Sequence, residues 1–140
     1  MKTPYVLVVA PSFVRFVGRF STGTNEAKGL AAFPFIFVSK REFVQDWLIT
    51  HELVHFRQAF ETLFIGLAIL SFIERLYARF ILKMNKMERY LYAASEQEAY
   101  LNMHNSEYLN TRRFGSVFYY VTHKRNFKLI GPGQLEFLDT

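Results

Sequence analysis

Two histidines and a glutamate within one short segment carry the clearest chemistry in this sequence. The segment from His51 to His55 reads HELVH. On an α-helix, residues four apart project from one face about one turn apart, so both imidazoles can reach one metal ion. Glu52 flanks the same site, where a carboxylate can accept a proton from a water molecule that zinc has activated. The spacing therefore predicts Zn2+ bound by His51 and His55, with Glu52 as the general base.

The five-residue pattern is short, and the alternative interpretation is an amphipathic helix with polar residues on its outer face. Leu53, Val54 and Phe56 are apolar and suit the other side of this helix to burial. The histidines and Glu52 then form a polar patch that favours a metal site. A third protein ligand is expected further along the chain.

The segment from Ser95 to Tyr100, which reads SEQEAY, supplies candidates for that ligand. Here the chain resembles the gluzincins, zinc metallopeptidases that combine HExxH with a glutamate from a later helix in the pattern E-x-x-A-D. The resemblance implies that Glu96 joins the two histidines on zinc. Tyr100 stands where the family usually has an aspartate that orients a ligand histidine, so Tyr100 is a candidate for a supporting or substrate-binding role.

Glu98 is the alternative third ligand. Ser95 and Glu98 have the spacing of a capping box, which predicts a new helix from Ser95 and gives Glu98 a structural role. Glu96 is then the better ligand. The swapped assignment stays open, because either carboxylate suits zinc, and Glu98 is otherwise a candidate for a supporting or substrate-binding role.

A closer resemblance is to small HExxHxxQ proteins of bacteria and their phages, which pair this motif with a glutamate-x-glutamate-alanine-tyrosine segment. It runs from about Phe33 to Arg113 and includes the segments 33–38, 51–58 and 96–100. It implies a minimal zincin-like domain that hydrolyses peptide bonds, with no substrate specified.

Composition limits the number of domains, the atoms that can hold a metal ion and the kinds of partner that the chain is expected to have. A chain of 140 residues is expected to form one zincin-like domain, residues 1–140. Cysteine is absent, so zinc has to be held by nitrogen and oxygen atoms. The net charge of +5 permits anionic partners, although solubility is the simpler interpretation. The many Phe and Tyr residues predict a dense core, an aromatic cleft or an interfacial surface.

Location and partners follow from what the sequence lacks. The apolar run from Tyr5 to Ala10 is shorter than the core of a signal peptide, which favours a cytoplasmic location. No glycine-rich phosphate loop or nucleic-acid motif is recognisable, so no specific nucleic-acid partner is expected. The expected partner is a peptide or protein substrate.

Three N-terminal segments have strand-like patterns. They are Tyr5–Ala10, Phe13–Phe20 and Phe33–Val38, with a turn or loop expected over 21–29. Pro34 indicates either that the third strand lies at a sheet edge or that it begins there. The resemblance to zincins implies that Phe35–Val38 binds the substrate backbone, and a buried structural strand is the alternative.

A long helical region follows. Ser39 and Glu42 have the spacing of a capping box, which predicts that the motif helix begins near Lys40. A straight helix from His55 to Lys83 would extend about 42 Å, whereas a helical return from residue 85 to Glu96 covers only about 16 Å. We therefore expect either a bend near 66–71 or an extended return before a new helix.

The apolar stretch from Thr62 to Ile73 is too short to span a membrane and predicts a core helix. The alternative is that residues 62–86 form a basic amphipathic helix that makes peripheral contact with a membrane. The helix from Ser95 is expected to continue to about Tyr108. Residues 114–121 fit either a strand or a helix, and 131–140 are expected to form a loose tail.

Several other polar side chains are candidates for the site. Gln58 lies one turn beyond His55, where it can hydrogen-bond a ligand or a substrate, unless it is a surface glutamine. Amide hydrolysis also needs a donor to the oxyanion, and by residue type alone the candidates are Tyr100, His104, Tyr108 and His123. The simpler interpretation of each is a structural or solvent-exposed side chain. Arg112 and Arg113 could bind a substrate carboxylate or phosphate, or be a solvated pair.

These patterns together predict an α+β fold: a small N-terminal β-sheet, then the HExxH helix and further helices. The expected function is zinc-dependent hydrolysis of peptide bonds. The alternative function is a non-catalytic, zinc-stabilised module that docks on a membrane surface or a protein partner.

Overall fold

A small sheet precedes the helix that carries HELVH and packs against it. The computed structural model describes residues 4–23, 27–131 and 134–138. Its first sheet contains β1 (Val6–Val9), β2 (Gly29–Ala32) and β3 (Phe35–Val38) in the order β1-β3-β2. β1 runs parallel to β3, and β2 runs antiparallel to it. The predicted α+β class, with an N-terminal sheet followed by helices, is confirmed.

The helices and the remaining strands follow in chain order. The helices are α1 (Pro11–Thr22), α2 (Asp46–Glu61), α3 (Ile65–Phe80), α4 (Lys86–Tyr92), α5 (Ala94–Asn102), α6 (Tyr108–Thr111) and α7 (Ser116–Thr122). A hairpin of β4 (Phe127–Gly131) and β5 (Gln134–Phe137) ends the described chain. The expected loose tail is therefore wrong for Gln134–Phe137, which pairs with β4. The ambiguous segment 114–121 contributes α7.

β3 is the central strand, so Phe35–Val38 does not lie at the sheet edge. The other alternative holds, because Pro34 directly precedes the first residue of the strand, and its carbonyl accepts a hydrogen bond from the Val6 amide of β1 at 2.8 Å. Ile36 and Val38 are fully buried against Leu48, Leu53 and Phe56 of α2. This outcome matches the structural alternative, and β2 becomes the edge strand nearest α2.

The segment Phe13–Phe20 is helical, and the predicted strand is wrong. Pro11 occupies the first turn of α1, where its missing amide costs no hydrogen bond, and Gly23 ends the helix in the left-handed region. Val14, Val17 and Gly18 have helical spacing and face the interior. The expected loop over 21–29 is shortened at both ends by α1 and β2, and residues 24–26 lie outside the described part.

α2 begins at Asp46 rather than near Lys40. The Ser39 hydroxyl lies 3.4 Å from the Lys28 carbonyl and caps no helix. A 3-10 turn at Arg41–Phe43 and an extended Val44 separate Ser39 from the true start. The capping-box prediction fails because Ser39 contacts the Lys28 carbonyl, directly before β2, instead of a helix N-terminus.

The chain reverses direction directly after α2. Leu63 and Phe64 both have positive φ angles, 54° and 62°, and α3 starts at the next residue. The bend thus precedes the predicted range 66–71. A second break at Ala93 separates α4 from α5, so the return is helical rather than extended. The new helix begins at Ala94, one residue before the predicted Ser95, and ends at Asn102, earlier than expected.

α3 is not the predicted core helix. Only Glu74 and Ala78 are buried on it, whereas most of its large apolar side chains are exposed. Glu74 accepts hydrogen bonds from the Ala94 amide at 3.1 and 3.2 Å and pairs with Lys124. A carboxylate at this position favours a helix N-terminus, so α3 holds the start of α5. Among the described residues, no helix is long and apolar enough to cross a membrane.

Candidate metal centre

Two packed helices bring the predicted ligands together. α2 carries His51, Glu52 and His55 on one side, and α5 lies against it and carries Glu96. His51, Glu52 and Glu96 are buried, with at most 8% of each residue exposed. The polar patch on α2 thus faces the protein interior.

The side chains of His51, His55 and Glu96 form a close group of candidate ligands, called the triangle here. His51 Nε2 and His55 Nε2 lie 3.2 Å apart, His51 Nε2 lies 3.4 Å from Glu96 Oε2, and His55 Nε2 lies 3.3 Å from Glu96 Oε1. Two atoms bound at about 2.0–2.1 Å to a tetrahedral ion are about 3.3–3.4 Å apart. The group His51, His55 and Glu96 can therefore hold a metal ion.

An unsatisfied atom at this site also fits a cation. Glu96 Oε2 is buried and accepts no hydrogen bond. A buried carboxylate oxygen without a donor is costly, and a metal ion would satisfy it. Two imidazole nitrogens and one carboxylate form a donor set that zinc accepts in sites that keep a position for water.

The charges of the cluster are strongly coupled. Burial opposes a charge on His55, but the Glu96 and Glu52 carboxylates and the bond to Gln58 outweigh it and raise the pKa of His55 to about 10. Burial would raise the pKa of Glu96, yet the neighbouring His55 and His51 hold it below its ordinary value. Without metal the cluster therefore retains a proton, which a bound cation would displace.

Glu52 lies beside the triangle in a different environment. Burial raises its pKa, against the opposing effect of the two histidines. A raised pKa makes a carboxylate a stronger proton acceptor. Gly29 of β2 contacts this side chain, because a Cβ on Gly29 would lie 2.8 Å from Glu52 Oε1. β2 therefore runs directly past the candidate base.

Gln58 is a fully buried partner of the ligand His55. Its Oε1 lies 2.9 Å from His55 Nδ1, and its amide nitrogen donates to the Ser95 carbonyl at 3.0 Å and to Glu98 at 2.8 Å. Because both amide protons are used, Oε1 must accept from His55 Nδ1. The Nε2 of His55 is then left free to bind a metal ion.

Glu98 lies on another side of α5, away from the triangle. It accepts hydrogen bonds from Gln58, from Tyr108 Oη at 2.8 Å and from Arg112, which also pairs with Glu61. No capping bond forms at Ser95, so the capping-box role predicted for Glu98 is wrong, although its role is structural. The Arg112 side chain is buried and forms ion pairs with Glu61 and Glu98. It does not line the cavity that adjoins the triangle.

Most of the predicted oxyanion donors lie elsewhere. His104 is exposed near Trp47, and His123 is exposed and stacked on Tyr119. Tyr108 donates to Glu98. None of these three side chains reaches the triangle, and their positions agree with the alternative expectation that each is structural or solvent-exposed. Arg113 is exposed and lies outside the cavity lining.

Two tyrosines do approach the metal-binding group. The Tyr100 ring packs edge-on against His51, with centroids 4.6 Å apart. Tyr90 lines the cavity together with Glu96, and the charge of Glu96 affects both Tyr90 and Tyr100. Burial, followed by the charge of Glu96, raises the pKa of both phenols, so both remain protonated donors. Tyr90 lies on α4 and was missed, because nothing in the sequence indicates which way this short helix faces.

A cavity of about 350 Å3 adjoins the triangle. Side chains of α1, β2, α2, α3 and α4 line it together with His51, Glu52, His55 and Glu96. Arg75 also lines this cavity, and its buried Nε has no hydrogen-bond partner. Its guanidinium lies 5.5 Å from the Tyr90 ring. This arginine, which the sequence interpretation did not select, is the cation best placed to meet a negatively charged group in the cavity.

Comparisons of the chain with protein-family models, with curated proteins and with solved structures gave no match.

Proposed function

We propose that this chain is a zinc-dependent peptidase. The observation that carries the proposal is the triangle of His51 Nε2, His55 Nε2 and Glu96 beside a buried glutamate and a cavity. When bound there, zinc would supply water of lowered pKa and polarise the scissile carbonyl. His51, His55 and Glu96 would hold the ion.

Glu52 is the proposed general base. Its carboxylate takes a proton from the attacking water and passes it to the leaving amine, and burial, which raises its pKa, makes it the stronger proton acceptor. The protonated Tyr90 and Tyr100 phenols are the proposed donors to the developing oxyanion. Tyr100 was a candidate donor from the sequence, and Tyr90 is added to it.

β2 is the proposed binding strand for the substrate backbone. Among the described residues it pairs with β3 alone, and its residues Gly29–Ala32 line the cavity beside Glu52. An extended peptide that added to this free edge would pass the candidate base. β3 cannot serve, because β1 and β2 already pair with both of its sides.

The test combines metal content with peptide cleavage. Protein purified without chelators and supplied with zinc should contain about one zinc per chain by mass spectrometry, and His51→Ala should lose it. His104→Ala, at an exposed histidine outside the cluster, is the matched control and should keep it. Glu52→Gln should retain zinc but cleave a peptide library at least about 100-fold more slowly, as expected for loss of a general base. Cleavage at the wild-type rate by zinc-loaded Glu52→Gln would refute the proposal.

A second candidate function is a non-catalytic, zinc-stabilised binding module. It is favoured by the position of the triangle, where one ion would join α2 to α5, and by the exposed apolar side chains of α3. In that case no peptide is cleaved, Glu52→Gln has no effect on binding, and His51→Ala unfolds the chain.

A further inference from the structure

We propose that α3 docks on the surface of an anionic lipid bilayer, independently of whether the chain is a peptidase. The docking surface, named here the α3 stripe, consists of exposed large apolar residues: Ile65, Ile69, Phe72, Ile73, Leu76, Tyr77 and Phe80. Their exposed fractions run from 38% at Leu76 to 72% at Ile65. Within the described part of the chain, Tyr77 stacks on Tyr92 of α4 with ring centroids 6.3 Å apart, and the members of the stripe nevertheless remain exposed.

Helical spacing places the α3 stripe on one continuous side of the helix. Successive members are one, three or four residues apart, which is the pattern of a single helical face. The buried residues Glu74 and Ala78 mark the side of α3 that packs on the protein. The stripe has seven large side chains on a 16-residue helix, and soluble monomers seldom expose so many together.

The charges around the stripe indicate which kind of surface it can bind. The segment from Leu63 to Met87 contains one acidic residue, Glu74, which is buried and paired with Lys124. The exposed charges of this region are the cations Arg79, Lys83 and Lys86. Two copies of the chain that met through this face would bring like charges together. An apolar stripe with a basic border instead complements the interface of an anionic bilayer.

α1, which lines another side of the cavity, also combines exposed aromatic residues with basic residues. Phe16 and Phe20 are 72% and 78% exposed, and Arg15 and Arg19 lie between and beside them. Lys86 Nζ lies 5.5 Å from the Phe20 ring and donates to the Arg19 carbonyl at 3.2 Å, so the end of α1 meets the basic border of the stripe. Docking would therefore hold both cavity walls at the lipid surface.

The test is sedimentation of the full chain with vesicles of phosphatidylcholine alone or with about 30% phosphatidylglycerol. We expect wild type to bind the anionic vesicles, and binding to weaken when salt screens the cations. Ile69→Glu/Phe72→Glu should reduce binding at least about tenfold. Phe114→Glu/Phe118→Glu is the matched control, because it makes the same charge change at exposed apolar residues outside the stripe, and it should bind like wild type.

Three results would overturn the proposal. The first is no binding of wild type to the anionic vesicles. The second is an equal loss in both double variants, which would show a general effect of charge. The third is a wild-type dimer in light scattering that Ile69→Glu/Phe72→Glu converts to a monomer without any lipid binding, which would assign the stripe to self-association. Unchanged circular dichroism in both variants controls for folding.

Discussion

The contact between Gln58 and His55 allows the candidate metal centre to be tested without touching a ligand. Gln58→Leu keeps the volume of this buried side chain approximately but removes three hydrogen bonds, to His55 Nδ1, to the Ser95 carbonyl and to Glu98. His55 then loses the acceptor that holds its Nδ1 proton in place.

The expected magnitude follows from these contacts. Loss of a hydrogen bond that orients a ligand histidine typically weakens metal binding about 10- to 100-fold, which corresponds to about 1.4–2.7 kcal/mol. The free energy of unfolding should also fall, because each buried group left without a partner costs about 1–3 kcal/mol. Zinc affinity and stability therefore have to be measured separately.

Gln97→Leu provides the matched control. Gln97 is equally buried on α5 and exchanges two hydrogen bonds with the Arg125 backbone, at 2.9 and 3.2 Å. Its removal should lower stability in the same way but leave zinc affinity near the wild-type value. Affinity is measured by competition with a chromophoric chelator at fixed pH, and stability by urea unfolding of the zinc-free proteins.

A charge-conserving exchange provides the rescue. Gln58→Glu alone places two buried carboxylates about as close as the 2.8 Å contact seen here between Gln58 and Glu98, so it should weaken zinc binding or fold poorly. In Gln58→Glu/Glu98→Gln, the carboxylate at position 58 accepts the hydrogen bond from His55, and the amide at position 98 donates to that carboxylate. This double variant should recover most of the zinc affinity. Equal zinc affinity for Gln58→Leu and Gln97→Leu would refute the positioning role.

Two further predictions concern the base and the proton of the cluster. Gly29→Val should reduce peptide hydrolysis at least about tenfold with zinc content unchanged, because even a Cβ at Gly29 would lie 2.8 Å from Glu52 Oε1; normal activity would contradict the placement of β2. In zinc-free protein the raised pKa of His55 contributes stability that is fully present below about pH 6.5 and is lost as pH rises through about 10. The melting temperature of chelator-treated protein should therefore fall between pH 7 and 10, more steeply than that of zinc-loaded protein, and equal slopes would count against this coupling.

The sequence predicted the parts of the fold and site that depend on short-range rules. The spacing of His51 and His55 on one helix is local, and the break before Glu96 lies within one residue of its expected place. The segment Phe13–Phe20 was mistaken because its apolar residues fit both an alternating and a helical pattern, and the helix forms because Pro11 and Gly23 suit its two ends. β2 was missed because Gly-Leu-Ala-Ala lacks the β-branched and aromatic residues typical of strands.

The remaining failures, at α3 and α4, depend on one turn that the sequence does not signal. Leu63 and Phe64 adopt positive φ angles without glycine or asparagine, and this turn sets the direction of α3. The position of Arg75 at the cavity and the exposure of the α3 stripe both follow from it. Tyr90, on the returning α4, reaches Glu96 for the same reason.

The absence of an aspartate at position 100 left open, at the level of sequence, what orients the ligand histidines. In the structure this position is filled by an aromatic ring that packs against His51, and the hydrogen bond to His55 comes from Gln58 on the ligand helix itself. Gln58 is fixed in turn by Glu98, which Tyr108 and Arg112 hold in place. A buried carboxylate paired with arginine adds little net stability on its own, so its position behind the glutamine is better explained by the orientation it imposes. This chain of contacts explains why Glu96 and Glu98, only two residues apart, have separate places: Glu96 belongs to the group that could hold a metal ion, and Glu98 fixes the glutamine that contacts the candidate ligand His55.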